Sequence, residues 1–147
     1  MMRSTFTSYQ RGLTIIELLI VIIVIAILFA ITALVYSGTQ NRSHSATAET
    51  AAMTVLSRAE AAYAATSRFP SSVSGANGFD NQPDSSLAGS GITLAVINSH
   101  PAKPQTVSYE YCEIGARVGW WDYTYGTVAH KTIGEPCPSY NQVTGSP

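Results

Sequence analysis

Gly12-Leu13-Thr14-Ile15-Ile16-Glu17 opens the stretch of sequence that decides the fold, because it places one carboxylate inside an apolar run that continues to residue 35. An ionised side chain within a membrane-spanning helix costs about 3 to 10 kcal/mol, so it calls for a functional reason and a partner. Neither a cleaved secretory signal nor a plain membrane anchor requires such a charge. The position of Glu17 is therefore the first indication of what the chain does.

The apolar run is long enough to cross a bilayer. Residues 13–35 carry one charged side chain, and at about 1.5 Å per residue a helix of this length covers a hydrocarbon core of about 30 Å. Arg3 and Arg11 lie on its N-terminal side. Positive residues flank the cytoplasmic ends of membrane helices, so we expect a cytoplasmic N-terminus and an external chain from residue 36 onward.

Two other kinds of segment account for less of this sequence. A secretory signal peptide has about 7 to 15 apolar residues and small residues at the last and third-last positions before its cleavage site. Cleavage after Ala30 places Leu28 at the third-last position, and cleavage after Ala33 places Ile31 there. A simple single-pass anchor accommodates the length of the run but leaves Glu17 unexplained.

Residues 11–31 resemble the class III leader and N-terminal helix of type IV prepilins. In that family a short basic leader ends in Gly, the next residue becomes the mature N-terminus, and a Glu four positions later lies in the apolar helix. Gly12, Leu13 and Glu17 stand at those positions, preceded by Arg11. The resemblance implies a leader of residues 1–12, cleavage between Gly12 and Leu13 by a prepilin peptidase, and N-methylation of Leu13.

The resemblance also implies a role for Glu17 in assembly, because in family filaments this carboxylate pairs with the N-terminal amine of a neighbouring subunit. The new α-amine of Leu13 is cationic at neutral pH. A carboxylate and an ammonium in an apolar bundle stabilise each other, whereas either one alone is heavily penalised. Glu17 is also one helical turn from the amine of its own Leu13, and pairing within one subunit remains open.

Three positions depart from the family pattern. Leu13 replaces the usual Phe, and Ala26 and Leu34 stand where many pilins have Gly and Pro. Ala and Leu lower the intrinsic helix cost by about 1 and about 3 kcal/mol relative to those two helix breakers. The sequence therefore offers no helix breaker where family filaments melt locally.

An amphipathic helix is predicted over residues 36–69. Small and apolar residues recur there at spacings of three and four, which indicates one shallow apolar face: Ala48, Ala52, Val55, Ala59, Ala62, Tyr63 and Thr66. Together with residues 13–35 this segment predicts one helix from about residue 13 to 66, about 80 Å long at 1.5 Å per residue. Pro70 stops it, because the residue before a proline disfavours helix.

The rest of the chain predicts a connecting loop and a small sheet. Residues 70–91 are rich in Ser, Gly, Asn, Asp and Pro and show no periodicity. Apolar or alternating stretches follow at residues 92–97, 106–114, 117–125 and 127–133, with glycines at or near the turns. Three or four antiparallel strands over residues 92–147, packed on the second half of the helix, give an α+β domain. This is the type IV pilin fold that the resemblance implies.

Cys112 and Cys137 are the two cysteines of the chain. In an extracellular domain such a pair predicts a disulfide, and the loop that it closes contributes about 3 kcal/mol through the unfolded state. Many type IV pilins also have a C-terminal disulfide loop. Metal binding needs more ligands, and His44, His100 and His130 are scattered without a CxxC or HxxxH motif. No metal or other cofactor is therefore predicted.

Aromatic residues form the other candidate binding surface. Trp120, Trp121 and Tyr123 follow one another along a predicted strand, in which successive side chains face opposite sides of the sheet. They suit a stacking platform for sugars or nucleic-acid bases. They equally suit a core on one face of the sheet and a subunit interface on the other.

Composition argues against several other functions. The formal charge is −1, and removal of residues 1–12 takes away Arg3 and Arg11 and leaves −3. Nucleic-acid binding calls for clustered Lys and Arg. The charge of this chain gives no such footprint, and nucleic acid stays open as a partner. The sequence also contains no phosphate-binding loop, GxSxG elbow or HExxH motif. We therefore predict no enzymatic activity.

The whole chain is similar to a type IV pilin in its organisation. The resemblance implies a structural subunit, stored in the cytoplasmic membrane, that an assembly platform and its ATPases polymerise into a helical homo-oligomeric filament on the cell surface. Such filaments serve adhesion, twitching motility or DNA uptake. A pseudopilin or minor pilin of a type II secretion or competence system is the alternative within the family. A membrane-anchored carbohydrate-binding module is the alternative from another class, and it leaves the bond between Gly12 and Leu13 uncut.

Overall fold

The computed structural model describes residues 12–146. One long helix, α1 (Ile15–Thr66), precedes a sheet of five strands, which confirms the predicted α+β class. The chain divides into two compact units, Met1–Ser37 and Gly38–Pro147. Of the predicted leader, residues 1–12, all but Gly12 lies outside the described residues, and so do the flanking Arg3 and Arg11.

In the first unit the described chain is an exposed apolar helix. Side chains at every position from 12 to 32 are exposed. Ile15–Thr32 has a mean hydropathy of 3.2 and is long and apolar enough to cross a membrane. The helix continues through Ala26 and Leu34, as expected for a segment without breakers.

In the second unit α1 buries a shallow face of small residues. The buried positions include five of the seven predicted ones, together with two that the pattern missed: Ala48, Ala51, Ala52, Val55, Leu56, Ala59 and Ala62. The prediction was wrong for Tyr63 and Thr66, which are exposed. The ring of Tyr63 instead stacks on that of Phe69 at a centroid distance of 4.6 Å, at the edge of the core.

A left-handed residue ends the helix before the proline is reached. Ser67 has φ of +56°, and its amide donates to the carbonyl oxygen of Tyr63 at 2.7 Å. A left-handed residue just after the last turn satisfies a carbonyl group that the helix itself leaves open. The helix therefore ends at Thr66, the predicted end of the long helix.

Residues 70–91 contribute apolar side chains to the core, which the loop prediction missed. A short 3-10 helix (Phe79–Asn81) lies in this segment, and the side chains of Val73, Phe79 and Leu87 are buried. The carboxylate of Asp80 accepts hydrogen bonds from the Ser86 hydroxyl at 2.8 Å and from the Leu87 amide at 3.2 Å. The polar residues thus hold the loop in shape while its few apolar side chains close the core.

The sheet is mixed and has five strands. They are β1 (Thr93–Leu94), β2 (Thr106–Tyr111), β3 (Gly115–Asp122), β4 (Thr127–Gly134) and β5 (Asn141–Val143). Their order is β1-β2-β3-β4, and β5 pairs with the same edge of β2 as β1 does, further along the strand. The prediction of three or four antiparallel strands was wrong in two respects, because β1 is parallel to β2 and β5 was missed.

One face of the sheet joins α1 in a single core. Val107 and Tyr109 of β2 and Ala116 and Val118 of β3 are almost fully buried and belong to the same cluster as the helix residues. The ring of Phe79 meets that of Tyr109 edge-on at a centroid distance of 4.8 Å. Burial, with a smaller contribution from neighbouring Tyr111, raises the pKa of Tyr109, so its phenol stays neutral.

The predicted disulfide between Cys112 and Cys137 is present, with the two Cα atoms 6.1 Å apart. It joins the end of β2 to the segment that leads into β5. On the outer face of β2, Glu110 pairs with Arg117 of β3 and accepts a hydrogen bond from the Gln142 side chain at 3.0 Å. The disulfide and these polar contacts hold the C-terminal segment against the sheet.

Close backbone approach requires glycine where β3 begins and β4 ends. Gly115 and Gly134 are register partners, and a Cβ atom on Gly134 would lie 2.3 Å from the carbonyl oxygen of Ile114. Gly134 has a φ of +73°. Gly126, in the turn between β3 and β4, has a φ of +67° but has open space around it. Gly119, which was predicted near a turn, lies inside β3.

We predict different losses of stability for alanine at two of these glycines. Gly126→Ala adds only the cost of a left-handed residue, about 1 to 2 kcal/mol in the free energy of unfolding. Gly134→Ala carries the same backbone cost and adds the collision with Ile114, so its loss should be about twice as large or more. Chemical denaturation of the Gly38–Pro147 fragment compares the two variants. Equal losses would contradict a requirement for close backbone approach.

Removing the disulfide should loosen β5 before the rest of the sheet. The double substitution Cys112→Ser with Cys137→Ser lowers the free energy of unfolding by about 3 kcal/mol, because the unfolded chain regains its freedom. Among the described strands β5 pairs with β2 alone, so amide exchange at Val143 should accelerate more than exchange at Val118 in the centre of the sheet. Uniform acceleration at both amides would refute a local role for the bridge.

Candidate functional site

Thr14 caps the N-terminus of α1 by accepting hydrogen bonds from the backbone of Glu17. The Glu17 amide donates to the Thr14 hydroxyl oxygen at 3.3 Å and to the Thr14 carbonyl oxygen at 3.1 Å. A Thr before the first helical residue and a Glu three positions later is the capping-box pattern of helix N-termini. This arrangement was not predicted above, although the spacing Thr-x-x-Glu is its sequence signal.

Capping does not account for the charge of Glu17. Gln serves the capping box as well as Glu does, and a carboxylate in the first turn gains only about 0.3 to 1 kcal/mol from the helix dipole. Both effects are small beside the cost of an ionised group in hydrocarbon. The Glu17 side chain is exposed, so the carboxylate is accessible to a partner outside its own helix.

The bond between Gly12 and Leu13 lies in non-helical chain just before the helix. Both residues are exposed, and the Leu13 side chain has 71% of its surface accessible. A Cβ atom added at Gly12 would meet no atom within 4 Å. The fold itself therefore does not require glycine at this position, and a requirement for it has to come from a protein that acts on this bond.

The helix that carries Glu17 is apolar all round. Its large apolar side chains between positions 15 and 31 are 48 to 87% exposed. A helix with apolar residues on every face is stable only when something covers it, either lipid or other protein. The first unit thus presents an accessible bond between Gly12 and Leu13, a carboxylate and an uncovered apolar surface within one segment.

The three predicted aromatic residues do not form one platform. Trp120 pairs with Val107 and packs against the core, whereas Trp121 points to the opposite face of β3, as the alternation predicts. Tyr123 lies just beyond β3, in the turn to β4. The structure therefore separates Trp120 from the other two.

Two of the histidines that looked scattered in sequence come together at Tyr123. Its ring lies 5.3 Å from the ring of His44 and 4.8 Å from that of His100, measured between centroids. His100 also meets the ring of Trp121 at 6.0 Å. Among the described residues no group of three or more His, Cys, Asp or Glu side chains could hold a metal ion.

Comparison with known proteins finds a match in the N-terminal segment. A family model for the prokaryotic N-terminal methylation motif matches residues 7–33. The match spans the bond between Gly12 and Leu13, Glu17 and most of the apolar helix. No curated protein and no solved structure matches the chain. The chain therefore carries the prokaryotic N-terminal methylation motif, the class III signal of prepilins, on an apolar N-terminal helix, and in this segment it is similar to prepilins.

Proposed function

We propose that this protein is a pilin, the structural subunit of a type IV pilus-like extracellular filament. The observation that carries the proposal is the exposed carboxylate of Glu17, which lies in an uncovered apolar helix within the methylation motif. The precursor spans the cytoplasmic membrane with its N-terminus inside. Prepilin peptidase cleaves it between Gly12 and Leu13, and the N-terminus is methylated on Leu13. An assembly platform and its ATPases then polymerise it through α1.

Cleavage prepares the helix for assembly in two ways. It removes Arg3 and Arg11, which hold the leader on the cytoplasmic side of the membrane, since cations resist transfer through hydrocarbon. It also creates an ammonium group at Leu13, within reach of carboxylates on neighbouring helices. The mature helix end then carries one positive and one negative group, which neutralise each other when paired.

Pairing of Glu17 with the Leu13 amine of a neighbour sets the register between subunits. In an apolar bundle an unpaired ion is penalised by about 3 to 5 kcal/mol, so a subunit that enters out of register is disfavoured. The apolar surface around Glu17 supplies the attraction between subunits, because contacts with lipid are exchanged for contacts between helices. The charge pair supplies the specificity.

The C-terminal disulfide favours a pilin over a pseudopilin. Pseudopilins and minor pilins share the N-terminal motif, but pseudopilins often lack a bridge such as that between Cys112 and Cys137. Because Trp120 packs against the core, Trp121 and Tyr123 are the two predicted aromatic residues left for a carbohydrate, which supports a pilin over an anchored carbohydrate-binding module. Adhesion, twitching motility and DNA uptake are the three roles that such a filament serves.

Processing gives the first test of this proposal. N-terminal sequencing and mass spectrometry of the native protein should identify Leu13 as the first residue, with a methylated amine. Gly12→Leu should leave the precursor uncut, because the peptidase then meets a branched side chain at the bond. Gly38→Leu, a matched exchange outside the motif, should be processed normally. Intact leader in native filaments, or a start near residue 31, would contradict the proposal.

Exchanges at Glu17 give the second test, because they should separate membrane storage from assembly. Glu17→Ala removes a charge from the apolar helix, so the subunit should insert and be cleaved normally but form few or no filaments. Glu17→Gln keeps hydrogen bonding without the charge and should recover filaments only in part. The measurements are filament counts by electron microscopy and blots of the sheared surface fraction.

Thr14→Val is the matched control for these exchanges. It removes the hydroxyl that accepts a hydrogen bond from the Glu17 amide and keeps the carboxylate, so assembly should persist. Normal filament numbers with Glu17→Ala would refute an assembly role for the charge. Equal loss with Thr14→Val would assign the effect to the start of the helix instead.

A further inference from the structure

An aromatic turn with no role in the core projects from the second unit. The aromatic turn consists of the rings of Trp121, Tyr123 and Tyr125, at the junction of β3 and β4. The imidazoles of His44 and His100 flank Tyr123. Tyr125 is 79% exposed, more than any other large apolar or aromatic side chain described in the second unit.

Hydrogen bonds to Asp122 hold this turn in place. One carboxylate oxygen of Asp122 accepts from the amides of Thr124 and Tyr125, at 2.8 and 3.2 Å, and from the Ser45 hydroxyl of α1 at 3.0 Å. Partial desolvation opposes ionisation of Asp122, but these hydrogen bonds outweigh it and lower its pKa. The turn is therefore fixed to α1, and the ring of Tyr125 is exposed at its outer end.

The aromatic turn lies at the end of the second unit that is nearest along the chain to the apolar segment. Ser45 follows Tyr36, which adjoins the apolar run, by nine residues. Nine residues span about 14 Å as a helix and at most about 32 Å when fully extended. A chain that crosses the membrane up to Tyr36 thus keeps Ser45, and the aromatic turn bonded to it, within at most about 32 Å of the end of the apolar segment.

Tyr and Trp are the residues that settle at membrane surfaces. Their rings enter the boundary between headgroups and hydrocarbon while the hydroxyl or N–H group stays in water. Arg42 is exposed on the same helix shortly before Ser45, where it suits anionic headgroups. Asp122, the acidic group within the turn, stays ionised, and the three hydrogen bonds to one of its carboxylate oxygens compensate part of its charge.

We propose that the aromatic turn binds the outer headgroup layer of the membrane while the precursor is stored there. This inference rests on the membrane insertion of α1 in the proposed function. It gives the stored subunit a second attachment to the bilayer, and that attachment has to break when the subunit leaves for the filament. A bilayer suits this surface better than a sugar does, because His44 and His100 already flank Tyr123 and leave Tyr125 as the one widely exposed ring.

Fluorescence quenching by brominated lipids tests the proposal on the full chain. The chain has two tryptophans, so Trp120→Phe with Trp121→Phe gives a silent background for a Tyr125→Trp reporter. The protein is reconstituted in liposomes of phosphatidylcholine and phosphatidylglycerol, with bromine placed near the headgroups. We expect a loss of emission and a blue shift relative to unbrominated and lipid-free samples.

Tyr63→Trp in the same background is the matched control. Tyr63 is also exposed and aromatic, but it lies 18 residues beyond Ser45 on α1, about 27 Å along a helix. Its emission should not change with brominated lipid. Trp120→Phe alone leaves native Trp121 as a second reporter, whose quenching should fall when Tyr125→Asp is added.

The outcomes separate this proposal from the proposed function. Insertion of α1 is measured independently by flotation with liposomes and resistance to alkaline extraction. An inserted chain with no quenching at position 125, or with equal quenching at positions 125 and 63, would overturn the membrane contact and leave the pilin proposal intact. A chain that fails to insert would overturn both. Protection of the Tyr125→Trp reporter by soluble oligosaccharides instead of lipid would assign the turn to sugar binding.

Discussion

A charge within an apolar helix must be paired or solvated, and this requirement at Glu17 governs the rest of the structure. The helix around Glu17 exposes apolar side chains on every face, so it needs cover from lipid or from other helices. Both covers exclude water and make an unpaired carboxylate costly. A partner for Glu17 is therefore part of any stable arrangement of this segment, and in the proposed filament the cleaved N-terminus of a neighbouring subunit supplies one.

The second half of the same helix solves a different problem. Its buried face consists mostly of alanine, with Val55 and Leu56 as the larger side chains. Small residues let the sheet approach closely, and the bulk of the core comes instead from the sheet and from the loop, through Tyr109, Phe79 and Leu87. The hydrogen bond from Ser45 to Asp122 and the disulfide between Cys112 and Cys137 then hold the sheet and the C-terminal segment in place.

Local sequence signals were sufficient where one residue type leaves few choices. The apolar run and the spacing of the helix face predicted a long helix, and the cysteine pair predicted a disulfide. The alternating stretches after residue 91 predicted the sheet of an α+β domain. The polar sequence of β5, Asn-Gln-Val, has no alternation, so its pairing with β2 could not be predicted. The buried Phe79 and Leu87 were hidden among turn-forming residues, because isolated apolar residues in a polar loop carry no period.

Contacts between distant parts of the chain were also beyond sequence reasoning. Alternation placed Trp120 and Trp121 on opposite faces, but only the pairing of Trp120 with Val107 shows which face is inner. His44 and His100 both contact Tyr123 because the end of β3 lies against α1. No local sequence pattern predicts this contact. The register of the strands therefore decided the composition of the candidate surface.

The account depends on where the Glu17 carboxylate lies once subunits have assembled. An electron cryo-microscopy reconstruction of the filament, at a resolution that shows side chains, measures this directly. We predict that a carboxylate oxygen of Glu17 lies within about 4 Å of the Leu13 amine of a neighbouring subunit, the distance of an ion pair. A Glu17 that faces a water-filled channel, or that contacts only the amine of its own subunit, would contradict the account.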